Sequence, residues 1–129
     1  MPPKTIGLAL VASLALAAPA AASGGFYCQG DGVTADIATG RLPVLQVIGA
    51  SISAGDNTWS TGPERGEGTP FVVGQAFADS QQVLIDFTDP NIEDVLVSLR
   101  LRFDGDDDRP LTGTLSVAGE DYQVFCEEG

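Results

Sequence analysis

The chain has 129 residues, with 18 Asp and Glu against 6 Lys and Arg, no histidine, and a net charge of −12. The missing histidine excludes Ser-His-Asp and Cys-His nucleophile machinery and the usual zinc ligand sets, and the charge excludes nucleic acid and anionic lipid as partners. The one lysine, Lys4, falls in a segment expected to be removed, which excludes Schiff-base chemistry as well.

Residues 1–22 read as a cleavable signal peptide. Lys4 supplies the positive start, an apolar run follows from Ile6 to Ala18, Pro19 breaks it, and Ala20-Ala21-Ala22 offers a small-x-small cleavage site. The run is shorter than the roughly 20 apolar residues a transmembrane helix needs. Cleavage after Ala22 leaves residues 23–129 as a single domain, one charge more negative than the whole chain, with no membrane span in the mature chain. A lipoprotein signal would put a cysteine directly after small residues, and Cys28 instead follows Phe26-Tyr27. These features predict a bacterial protein that is periplasmic or secreted.

Beyond the signal, apolar residues alternate with polar ones between short Gly- and Asp-rich turns. The pattern predicts eight or nine strands, near 25–29, 33–39, 43–53, 57–61, 70–77, 82–88, 95–103, 111–117 and 121–127. Many short strands with Gly-rich turns define an all-β fold, a small antiparallel β-barrel or β-sandwich. One stretch is ambiguous. Ile92, Val95, Leu96, Leu99 and Phe103 also fit helical spacing behind Asp89-Pro90. The alternation through Val95, Val97, Leu99, Leu101 and Phe103 favours a strand, preceded by a single helical turn over Asp89 to Asp94. Gly62 to Thr69 has no apolar residue but Pro63 and reads as a mobile loop.

Two cysteines in an exported chain predict one disulfide, Cys28–Cys126, closing the domain from its first strand to its last. It places those two strands close together, on one sheet or across two. A redox-active role is disfavoured, because such pairs usually lie close in sequence.

Without histidine and lysine, the remaining chemistry is that of carboxylates, hydroxyls, tyrosine and arginine. Paired carboxylates hydrolyse glycosides across a cleft, yet among so many acids such pairs arise by chance, and no enzyme activity is expected. Asp104, Asp106 and Asp108 stand at the first, third and fifth positions of a calcium-loop pattern. The sixth position is Arg109 where glycine is needed, and the twelfth is Leu115 where glutamate is needed. They remain a candidate Ca²⁺ site, against the alternative of a solvated hairpin tip. Arg100 and Arg102 share one strand face and are expected to pair with acids on neighbouring strands. Trp59, beside Asp56-Asn57-Thr58, reads as core rather than as an exposed binding aromatic.

Phe26-Tyr27-Cys28-Gln29-Gly30-Asp31-Gly32 at the start and Cys126 at the end resemble the periplasmic inhibitors of c-type lysozyme. Those are small exported antiparallel barrels with an early Tyr-x-Cys and a late cysteine. The resemblance implies a protein that blocks an enzyme by inserting a Ser- and Gly-rich loop ending in tyrosine. The nearest stretch here is Ala50-Ser51-Ile52-Ser53-Ala54-Gly55, with no tyrosine after it.

The leading expectation is an exported, acidic, non-enzymatic binding domain for a basic protein or cationic partner. A calcium-stabilised structural or adhesion domain and a lysozyme-inhibitor-like protein are the alternatives.

Overall fold

The computed structural model describes residues 24–103 and 111–129, and these form ten β-strands and no α-helix. In chain order they are β1 (Gly24–Gly30), β2 (Val33–Thr39), β3 (Val47–Ala54), β4 (Asn57–Ser60) and β5 (Thr69–Pro70), then β6 (Val72–Ala78), β7 (Gln82–Thr88), β8 (Val95–Phe103), β9 (Leu111–Val117) and β10 (Glu120–Glu128). A single 3₁₀ turn, Pro63–Arg65, interrupts the connection from β4 to β5.

Period-two alternation is clearest on β2 and β8. On β2 the residues Val33, Ala35, Ile37 and Thr39 point inward, and on β8 the inward set is Val97, Leu99 and Leu101. The helical alternative for Ile92 to Phe103 fails because it would strand Val97 and Leu101 on the solvent side. Instead the two are 0% and 1% exposed.

All ten strands belong to one sheet, in the order β5-β4-β3-β2-β1-β10-β9-β8-β7-β6. The sheet is two five-strand runs. Both are meanders of antiparallel hairpins apart from the short parallel β4–β5 pair, and they meet where β1 lies antiparallel to β10. Curling brings the two outer edges together into a nearly closed, barrel-like sheet.

The closure explains the tenth strand. The single strand expected at 70–77 is two. Thr69–Pro70 pairs with β4, Val72–Ala78 pairs with β7, and Phe71 between them is where the chain changes partner. The Phe71 N–H still donates to the Ser60 carbonyl at 3.2 Å. Its ring is buried and stacks on Phe87, with centroids 4.3 Å apart and planes 12° off parallel. The strand expected from residue 43 begins only at Val47. Gly40 and Gln46 close the preceding loop by a 2.8 Å backbone hydrogen bond, leaving Leu42 and Val44 exposed.

Cys28 and Cys126 stand directly opposite one another on β1 and β10 and form the disulfide. Their Cα atoms are 4.0 Å apart, the spacing of the narrow, non-hydrogen-bonded kind of antiparallel pair. Gly25 and Gly129 exchange both backbone hydrogen bonds three residues away, as the alternation requires. Both sulfurs lie within the core, so the bridge joins the two halves of the sheet at its middle and from the inside.

Candidate functional site

The strand directions give the barrel two unlike ends. One carries the short turns β1–β2, β3–β4 and β9–β10 together with the longer β7–β8 turn. The other carries the β2–β3 and β6–β7 connections and the start of β1. At the first, which we term the hairpin end, the turns are tied to one another. Gly55 N–H donates to the Gly32 carbonyl at 3.0 Å, and Ala118 N–H to the Leu96 carbonyl at 3.3 Å.

Acidic side chains stand at both ends, with Asp79, Glu127 and Glu128 at the second, but the described arginines avoid the first. The hairpin-end turns carry Asp31, Asp56, Asp89, Glu93, Asp94 and Glu120. The described arginines lie elsewhere. Arg41 is in the β2–β3 loop, Arg102 is near the opposite end of β8, and Arg65 is folded over Gly49, where a Cβ would meet its Nε at 2.6 Å. Arg100 is on the barrel wall and is neutralised by Asp86. Carboxylates on neighbouring turns sum to a field that draws cations and that salt screens.

The β7–β8 turn is built around one of these acids. The Asp89 carboxylate accepts the N–H groups of Asp94, Glu93 and Asn91 at 2.7, 2.8 and 3.1 Å. The hydrogen bond from Asp94, followed by those from Glu93 and Asn91, holds its pKa below the ordinary aspartate value. The helical turn expected here is replaced by this carboxylate-centred loop, in which Ile92 takes a left-handed φ of 59°.

Between the β3–β4 and β9–β10 turns the barrel mouth opens into a cleft of about 370 Å³. Ala54, Trp59, Val117 and Tyr122 line it, and these are inward-pointing positions close to the strand ends. Ala54 and Val117 are buried and form the floor, while Trp59 and Tyr122 are half-buried walls. Asp56, Asn57 and Glu120 make the rim. Neither Asp56 nor Glu120 makes a side-chain hydrogen bond or ion pair among the described residues. A hollow of similar size at the opposite end, beside Gly24, Asp36 and Glu127, is lined by two successive aromatics of β1, buried Phe26 and exposed Tyr27.

The one buried carboxylate among the described residues is committed to structure. Asp86 lies on the outer face of β7 and takes Arg100 Nη1 at 2.8 Å and Nη2 at 3.2 Å. Gln75 Nε2 on β6 donates to it at 2.5 Å. Burial alone raises its pKa, but hydrogen bonds from Arg100, Ser98 and Gln75 and the Arg100 charge outweigh that, leaving it below the ordinary value. The group therefore stays ionised and pins β6, β7 and β8 together.

The sequence-predicted residues fall as follows. Cys28 and Cys126 are joined. Asp104, Asp106 and Asp108 lie outside the described residues. Among the described residues no three acidic or cysteine side chains gather as a metal site. Arg100 finds its acid on the neighbouring strand, as the alternation implies. Ala50 to Gly55 forms most of β3 and its turn, with Ala50, Ile52 and Ala54 buried. Trp59 is neither wholly core nor surface. Tyr122 was not singled out in the sequence, because its alternation with Val124 and Cys126 marks it simply as core; only its place at the strand end opens it to solvent.

Among the described residues no helix is long and apolar enough to cross a membrane. No family model, curated protein or solved structure matches this chain.

Proposed function

We propose that this chain is an exported binding module, not an enzyme, whose hairpin end receives a basic protein. The signal-like residues 1–22 direct it to the bacterial periplasm or beyond, and the buried Cys28–Cys126 bridge suits an oxidising compartment. The observation that carries the reading is a row of acidic turns with no described arginine among them. Four turns crowd their carboxylates on one end, and the described arginines are at the other end or already paired. A uniformly acidic coat would serve solubility alone. A face of carboxylates with no arginine beside them attracts an approaching basic partner and speeds its encounter.

Lack of histidine and the engagement of Asp86 with Arg100 and Gln75 support binding over catalysis. The test uses a cationic model protein and the disulfide-intact mature chain. Asp31→Asn, Asp56→Asn and Glu120→Gln together should weaken binding about tenfold or more at low salt. A control set at the far end, Asp79→Asn and Glu127→Gln, should change it little. Equal effects from the two sets, or affinity unmoved between low and high salt, would refute the proposal.

A further inference from the structure

The geometry points to a more specific ligand chemistry at the barrel mouth: we propose that the cleft between the β3–β4 and β9–β10 turns takes one organic cation, an alkylammonium or guanidinium head. The inference rests on the acidic-end reading and sharpens it from a surface to a pocket.

The cleft combines features that a merely acidic surface lacks. It is concave, at about 370 Å³, which leaves room for one head group with a short carbon stem but not for a whole peptide. Two of its walls are aromatic. Trp59 and Tyr122 occupy inward positions that alternation would otherwise sink into the core, yet both remain half-open to solvent. Between them the floor is Ala54, the smallest side chain that keeps the inward pattern of β3. A leucine at that position would fill the space the cleft occupies.

Chemistry then selects the ligand. The faces of indole and phenol carry negative quadrupoles and attract a large, weakly hydrated cation, more strongly for tryptophan than for tyrosine or phenylalanine. Asp56 and Glu120 at the rim add charge of the matching sign, and neither has an internal partner among the described residues. Carboxylates alone would not distinguish sodium from a tetraalkylammonium ion of equal charge. Aromatic walls do, because sodium keeps its water and an alkylated ammonium gives up little by leaving it. The head group comes either from a lysine or arginine side chain of the basic partner or from a free small molecule.

The chain has one tryptophan, and it is Trp59, so its fluorescence reports on the cleft alone. The experiment titrates the disulfide-intact mature protein with tetramethylammonium chloride and with arginine methyl ester. Sodium chloride at matched ionic strength is the reference, and a short polyarginine peptide forms a parallel arm. The expected result is a saturable change in Trp59 emission with the organic cations and none with sodium. Ala54→Leu should abolish the response while the melting temperature shows the fold intact. Tyr122→Leu should weaken it about fivefold or more. Superimposable curves for tetramethylammonium and sodium overturn the proposal, as does a wild-type response in a folded Ala54→Leu protein.

The two readings fail separately. Salt-sensitive binding of a basic protein without any organic-cation response would leave the acidic pole standing and remove the pocket. Saturation by the small cations with no gain from the peptide arm, and no binding of the basic protein, would keep the pocket and assign it to a free small molecule.

Discussion

The two five-strand halves of the sheet share a hairpin plan but are packed unequally. From β6 to β10 the inward positions are bulky: Val83, Ile85, Phe87, Val97, Leu99, Leu101, Leu111, Leu115 and Val117 are all buried. From β1 to β5 the inward set is leaner, with Ala35, Ala50 and Ala54 among Phe26, Val33, Ile37 and Ile52. Apolar area removed from water scales with side-chain size, at about 25 cal/mol per Å². The C-terminal half therefore supplies most of the core stabilisation. The N-terminal half contributes shorter strands, such as the four residues of β4, and the cleft at the barrel mouth is lined from both halves. Core stabilisation is thus weighted to the C-terminal half, and the Cys28–Cys126 bridge keeps the leaner one attached.

Cutting that attachment should have the largest effect. The bridge closes a loop of 98 residues in the unfolded chain, worth about 4–5 kcal/mol on the chain-entropy model. The double substitution Cys28→Ala/Cys126→Ala should lower the urea midpoint by an amount corresponding to most of that. If the halves differ as argued, hydrogen exchange in the variant should rise more in β1 to β4 than in β7 to β9. Equal acceleration across the sheet would remove the distinction.

Core truncations test the same inequality residue by residue. Leu99 is paired with Ile85 and Leu115, so its deletion leaves a cavity walled by large side chains. Leu99→Ala should fall in the upper part of the about 2–5 kcal/mol range for such changes, and Ile52→Ala in the lower part. Ile52 sits between Ala35 and Trp59, so it gives up fewer contacts on one side. Chemical denaturation of both variants under one set of conditions settles the order.

Most of this division was legible in the sequence, and the parts that were not have physical reasons. Strands β2, β7, β8 and β9 occupy the residue ranges that the alternation marks, although on β7 the outward Asp86 and Thr88 are buried as well. In the sequence Phe71 reads as part of one strand, since an extended chain has the same local pattern whether its neighbour is β4 or β7. The cleft was invisible for a related reason. Trp59 and Tyr122 lie far apart in sequence and line one cleft only because the sheet curls, a long-range consequence that periodicity does not encode. Six carboxylates on turns are unremarkable one by one, and their shared end emerges only from the strand directions.

Asp86 gives a smaller effect, confined to the β6–β8 side. Asp86→Asn removes the ion pair with Arg100 and weakens the tie to Gln75, and should cost about 1–2 kcal/mol. Its depressed pKa fixes the sign of the pH response. The stabilisation is present above the unfolded value near 3.8 and is lost as pH falls through the lower folded value. Thermal melts of the wild type and Asp86→Asn should therefore converge as the solution is taken below pH 3.8. Curves that stay parallel through that window would show that the carboxylate contributes by shape and not by charge.

The turns show the least effect but separate the halves once more. Where the N-terminal half needs a left-handed residue at a turn it uses glycine, at Gly32 and Gly55, with φ of 82° and 59°. The C-terminal half places Ala118 and Ile92 in that region, at φ of 51° and 59°. A Cβ there is disfavoured by about 1 kcal/mol or more, and a β-branched residue such as Ile92 suffers most. The better-filled half tolerates this strain, which in the leaner half would consume a larger share of the stability. Ile92→Gly and Ala118→Gly should each raise the melting temperature slightly, by the relief of about 1 kcal/mol less the added freedom of the unfolded chain. Asp89 should continue to accept the Asn91, Glu93 and Asp94 N–H groups in Ile92→Gly, because none of those bonds involves the Ile92 side chain. A fall in stability would mean that exposed Ile92 is held in place by contacts worth more than its backbone strain.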